Sequence, residues 1–156
     1  MKKFLTAMVL ILLSGVFLIA CGSGTMEVTE SVNDIYSDIQ SKVTLEPMYE
    51  NDGDYIYNYY GIDSTHLEEF VFAEAQDGLK VDTVVLLKVN EDEDVDTVKE
   101  SLNTVIEQKK NTMNNYIPEQ YDIACNAVLE SQGNFVYLII SADVENIKAV
   151  VDSYLK

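Results

Sequence analysis

Apolar and polar positions alternate along this chain with two different periods, and the switches between them divide it into elements. From Glu30 to about Val43, Val32, Ile35, Tyr36, Ile39 and Val43 recur at helical spacing, which predicts an amphipathic first helix. The stretch "EPMYENDGDYIYNYYGID" breaks that rhythm. Pro47 bars a helix, Asn51-Asp52-Gly53-Asp54 is turn chemistry, and a short strand or helical turn fits around Tyr55–Tyr60. After Asp63 the pattern organises itself twice in the same way. "EEFVFAEAQDGLKVDTVVLLKV" reads as strand, Asp77-Gly78 turn and strand. "EDVDTVKESLNTVIEQKKNTM" then puts Val95, Val98, Leu102, Val105, Ile106 and Met113 on one helical stripe.

"YDIACNAVLESQGNFVYLIIS" repeats the hairpin around Gln132-Gly133, with Ile123, Cys125, Ala127 and Leu129 on one face of its first strand. "DVENIKAVVDSYL" repeats the helix, with Asp143 as its cap and Val144, Ile147, Val151 and Tyr154 turned inward. The expectation is an α+β fold: a duplicated ββα unit giving a four-stranded antiparallel sheet, helices packed on it, and the N-terminal helix added. "TVVLLKV" and "FVYLIIS" are apolar on both sides, so they belong in the middle of the sheet with both faces covered. The first helix is the candidate cover for the second face; an open apolar face awaiting a partner is the alternative.

The opening segment is different in kind. Lys2 and Lys3 precede an uncharged apolar run from Phe4 to Ala20, short for a bilayer crossing of about 20 residues. It ends "LIAC", Leu18 to Cys21, followed by polar "GSGT". The quartet resembles the bacterial lipobox, which implies diacylglyceryl transfer to the Cys21 thiol and cleavage between Ala20 and Cys21. Two acyl chains anchor stably where one binds reversibly. The chain is therefore read as signal peptide 1–20, lipid-anchored tether 21–30 and a single domain 31–156, with the lipid bilayer as partner through Cys21.

Composition narrows the function. Removing residues 1–20 takes two lysines and no acid, so the formal charge moves from −17 to −19, and the sequence contains no arginine. An acidic surface without guanidinium forks argues against nucleic acid as a partner. With Cys21 lipidated, Cys125 has no disulfide partner and reads as a small buried hydrophobe.

The chain also resembles a family of small bacterial lipoproteins carrying a domain of unknown function, number four-three-five-eight. The likeness rests on the lipobox, "YYGID" at Tyr59–Asp63, "VVLLKV" leading into an acidic turn and the "VKESL" helix, and the closing "NFVYLIIS" strand and helix. It covers about Ser31 to Leu155 and implies no activity or site residues.

Familiar chemistry is hard to find. The acid-rich Asn90–Asp96 invites calcium, but an EF-hand count from Asn90 puts Val95 sixth and Ser101 twelfth, and a count around Gly53 fails likewise. His66 is the only histidine and sits in a turn context; no P-loop, GxGxxG or CxxC occurs. No catalytic residue, metal ligand or cofactor is assigned. The candidate binding residues are Tyr55, Tyr57, Tyr59 and Tyr60, beside Tyr49, Asn51, Asp52, Asp54 and Asn58. Tyrosine offers a flat apolar face and a polar tip, suited to interfaces and sugar rings. In an extended segment Tyr55, Tyr57 and Tyr59 would share one face. The favoured reading of the same rings is that they close the edge of a core that has no tryptophan.

These features favour a non-enzymatic binding or scaffolding module, anchored to the outer face of the cytoplasmic membrane and engaging an envelope protein or wall polysaccharide. The alternative is an accessory subunit of an envelope transporter or polysaccharide-modifying complex. An unrecognised enzyme comes third.

Overall fold

The computed structural model describes residues 28–90 and 95–155. The segment containing Ala20 and Cys21 lies outside the described residues, as do positions 91–94 of the acid-rich stretch. Within them the chain runs α1 (Val32–Lys42), β1 (Met48–Glu50), α2 (Gly53–Tyr60), a 3-10 turn (Ser64–His66), β2 (Leu67–Ala75), β3 (Thr83–Val89), α3 (Val95–Met113), α4 (Pro118–Cys125), β4 (Val128–Gln132), β5 (Phe135–Ile140) and α5 (Val144–Asp152). The strands form one antiparallel sheet in the order β1-β2-β3-β5-β4.

The fold is α+β, as expected, with five strands rather than four. The extra strand is β1, three residues after Pro47 that pair with the edge of β2, Tyr49 lying opposite Glu74. A segment that short shows no alternation, so the pattern could not reveal it. The doubly apolar strands are central neighbours, with Val84 opposite Ile139 and Leu86 opposite Tyr137. Every residue of β3 and β5 is buried.

Both sheet faces are covered. On one, Val71, Ala73, Val84, Leu86, Phe135, Tyr137 and Ile139 meet α1 through Val32, Ile35, Tyr36 and Ile39, and α5 through Ile147, Val150 and Val151. On the other, Phe72, Val85, Leu87, Val136, Leu138 and Ile140 meet Leu102, Val105, Ile106 and Met113 of α3, Ala124 of α4 and Ile56 of α2. The first helix is the expected cover, and there is no open apolar sheet face among the described residues. The two ββα units do share the sheet, yet α3 and α5 pack on opposite faces. A two-fold axis relating antiparallel neighbours β3 and β5 would put both helices on one face, so the repetition is not a symmetric duplication.

Residues 118–125 correct the sequence reading. They form α4, so the second hairpin starts only at Val128, and Cys125 is exposed at the end of a helix rather than buried in a strand. Pro118 at the first turn with Glu119 behind it is a helix-start signal. Ile117, Tyr121 and Ala124 fall at helical spacing and pack inward, which turns Cys125 out. Asp143 does precede α5 but makes no side-chain cap to it. Its carboxylate instead accepts from Asn146 Nδ2 at 2.7 Å.

The chain joins the domain at a fixed point. Val28 is buried, inside the stretch read as tether. The Ser31 hydroxyl donates to Glu69 Oε2 at 2.7 Å, and the Val32 N–H donates to the same oxygen at 2.9 Å. Lys88 sits 3.7 Å from the other Glu69 oxygen. A carboxylate accepting from the first turn satisfies an orphan donor and suits the helix dipole, so α1 starts where β2 begins.

Three phenols, Tyr36 and Tyr137 buried and Tyr60 half-buried, tie this packing to pH. Burial pushes Tyr36 up to about 12, with Glu50 adding to the effect. Burial and the hydrogen bond to Glu130 push Tyr137 up to about 12. Burial and then Glu74 raise Tyr60 further still. Unfolded phenols ionise near pH 10, whereas the folded state keeps these protons longer. Their stabilising contribution is thus complete below about pH 10 and lost as pH rises through about 12. Titrated with base, the protein should show a late phenolate absorbance step that coincides with loss of circular dichroism. A late step absent from the folded protein, or well separated from unfolding, would contradict this.

Candidate functional site

A cleft of about 330 Å³ opens where the β1–β2 edge, α2, the end of α3 and the β2–β3 loop converge. Its floor is set by the sheet. Tyr49 and Glu74 are cross-strand partners and so point to the same side, toward the helices. Beyond β1 the pairing continues for one residue, the Asn51 N–H donating to the Phe72 carbonyl at 2.8 Å, which carries the Asn51 side chain to the same place.

One wall is α2, and local sequence explains its shape. Asp52 caps it, its carboxylate accepting from the Tyr55 N–H at 2.9 Å. At its start, a Cβ on Gly53 would run into the Ser64 side chain, so glycine there lets the helix and the 3-10 turn approach without displacing Ser64. At its end, Gly61 takes the left-handed conformation (φ 69°) and returns its N–H to the helix carbonyls. Ile62 is then buried, and Asp63 caps the 3-10 turn. This is what the "YYGID" segment does: stop, bury, restart. The other wall is the last turns of α3, contributing Gln108, Lys109, Thr112 and Met113.

At the centre lies Glu74, only 6% exposed. Its Oε1 accepts from the Tyr60 hydroxyl and faces the Lys109 ammonium, each at 2.7 Å; its Oε2 accepts from Asn51 Nδ2 at 2.7 Å. A buried carboxylate is tolerable only with such partners. Tyr60 also stacks on Phe72 with ring centroids 5.1 Å apart, which couples the polar centre to the apolar core.

The four tyrosines singled out from sequence are separated by the helix they form. The segment is not extended, so Tyr55, Tyr57 and Tyr59 do not share a face. Tyr55 and Tyr60 line the cleft. Tyr59 stacks on Tyr55 from outside, centroids 4.4 Å apart, and is 63% exposed. Tyr57 is exposed away from the cleft. Two of the rings therefore complete the core edge and the pocket together. Glu74 and Lys109 were missed because each looks ordinary in its own segment, one an alternating acid in a strand, the other one of two adjacent lysines on a helix. They lie 35 positions apart, and only the packing of α3 over β2 brings them together.

A second polar cluster sits on the opposite sheet face. Lys148 Nζ lies 2.8 Å from Glu130 and from the Tyr137 hydroxyl and 3.0 Å from Asp152. Its ammonium is 5.5 Å from the Tyr137 ring centre. These groups satisfy one another and fasten α5 to β4 and β5, so the cluster reads as structural. Among the described residues, no group of three or more His, Cys, Asp or Glu side chains is placed to hold a metal ion. Nor is any described helix long and apolar enough to cross a membrane.

Residues 41–141 match the family described as Domain of unknown function (DUF4358). This chain is a member of the DUF4358 family. The match takes in β1 to β5, and hence every wall of the cleft, but leaves most of α1 and all of α5 outside. No curated protein and no solved structure matches the chain. The DUF4358 assignment carries no activity with it, so function has to be argued from the cleft and its position in the domain.

Proposed function

We propose that this DUF4358 protein is a non-enzymatic, lipid-anchored binding module on the outer face of the cytoplasmic membrane. It holds an envelope component, a wall polysaccharide in the first instance, in the cleft around Glu74. The observation that carries this reading is the cleft's place relative to the point where the chain joins the domain. Glu69, which fixes the start of α1, and Glu74, which floors the cleft, stand five residues apart on β2, about 17 Å at strand rise, and face opposite sides of the sheet.

The seven residue-to-residue steps from Cys21 to Val28 reach at most about 25 Å when extended. A domain moored that closely has one side toward the bilayer, and the cleft lies on the far side of the sheet at its far end. Scaffolding through a bare sheet face loses its basis, since α1 and α5 cover that face.

The anchoring is tested by Cys21→Ser. Cells expressing it should incorporate no labelled fatty acid into the protein and release it from membranes. Continued labelling and membrane association would end the lipoprotein reading.

A further inference from the structure

The cleft is more specific than a generic groove, and its lining points to a ligand class. Tyr49 is 61% exposed at the rim and offers a flat ring; Gln108 and Thr112 of α3 line the helix wall with hydrogen-bonding groups, while Asn51 and Lys109 are engaged by Glu74. A ring face opposed by polar groups suits a pyranose, whose C–H face stacks while its hydroxyls point sideways. The volume, about 330 Å³, is at the small end of the range for ligand sites, which limits the occupant to one ring or little more.

Charge narrows the class further. In a chain of formal charge −17, the cleft is lined by two lysines and one carboxylate. Glu74 is already matched by Lys109, Tyr60 and Asn51. Lys80, at the mouth, pairs with Glu46 at 3.0 Å, both side chains more than a third exposed. A pair that wet is worth little, so an incoming carboxylate can take Glu46's place.

We propose that the cleft binds a single pyranose ring bearing a carboxylate, of the uronic- or muramic-acid type, with the ring on Tyr49 and the carboxylate at Lys80. The proposal rests on the binding-module reading above and adds the ligand's chemistry to it.

The test is saturation-transfer NMR on the full chain in detergent micelles, with glucuronate, galacturonate and N-acetylmuramate set against glucose and N-acetylglucosamine. At least one acidic sugar should bind roughly two- to fivefold tighter than the neutral ones, the scale of one exposed charge contact. Tyr49→Ala should weaken that binding about tenfold or more while leaving the melting temperature unchanged, because the ring is mostly exposed. Lys80→Gln should remove the preference for the acidic sugar and keep the binding of neutral ones. Tyr57→Ala, outside the cleft, should change nothing.

Equal binding of acidic and neutral sugars, lost in Tyr49→Ala, would overturn the acidic class and leave a carbohydrate-binding module standing. Binding that Tyr49→Ala leaves intact would overturn the site. Absence of transfer from every sugar would overturn the inference, and pull-down of purified wall material by the full chain would then decide separately whether the binding module survives.

Discussion

Cut back to the family-matched segment 41–141, the chain should fail to fold, whereas 28–155 should unfold cooperatively. The shorter chain loses α5 and nearly all of α1, and with them the cover of one sheet face. Val32, Ile35, Ile39, Ile147 and Val151 are each fully buried there, against Val84, Leu86, Tyr137 and Ile139. At about 2 kcal/mol for each large apolar side chain, losing those five removes on the order of 10 kcal/mol. A whole domain has only about 5–15 kcal/mol to lose. The sheet residues left behind would form a contiguous apolar patch and promote aggregation. Size-exclusion chromatography, dye binding and thermal melting compare the two lengths directly. A monomeric 41–141 fragment melting cooperatively near the longer chain's midpoint would show that the helices are dispensable.

Lys109→Ala should cost about 3 kcal/mol, the usual scale for removing one partner of a buried ion pair. Its ammonium lies 2.7 Å from Glu74 with the lysine side chain 19% and the glutamate side chain 8% exposed, so solvent cannot easily replace it. The loss comes from the carboxylate left behind, not from the pair's own strength. Adding Glu74→Gln to Lys109→Ala should therefore recover much of the stability, since a neutral amide still accepts from Tyr60 through its oxygen. Urea denaturation of the two single variants and the double variant gives the coupling as a thermodynamic cycle. A Lys109→Ala cost under about 1 kcal/mol, or a double variant no better than the single, would mean that the site behaves as a surface pair.

Set beside the Tyr49 and Lys80 variants, the Lys109 and Glu74 variants separate the cleft's structural role from its binding role. Glu74, Tyr60 and Asn51 hold α2 and the sheet edge together, whereas Tyr49 and Lys80 stand at the mouth and hold little else. Stability should follow the first group and ligand selectivity the second. That division is why the cleft can be tested without dismantling the fold.

Much of the architecture was legible from local pattern. Doubly apolar "TVVLLKV" and "FVYLIIS" demanded cover on both sides, and the i, i+3, i+4 stripes of α1, α3 and α5 supplied it. Turn chemistry at Asp77-Gly78 and Gln132-Gly133 separated the strands correctly. The errors fell where local signals conflicted. Residues 118–125 carry both a strand-like alternation and a helix-like spacing, and packing of Ala124 against the sheet chose the helix. The Tyr55–Tyr60 run was compatible with either state; the Asp52 cap and the left-handed Gly61 made it a helix and split the tyrosines between cleft and solvent.

Periods, caps and turns are short-range properties, and they were enough to place the first helix, the two central strands and the two helices that follow the hairpins, to say which faces are apolar, and to show that the core strands are buried twice. Which face each helix takes, the pairing of Tyr49 with Glu74, and the meeting of Glu74 with Lys109 depend on chain segments far apart in sequence. Those contacts form only when helices close over the sheet, because a buried carboxylate finds its cation by packing and not by spacing.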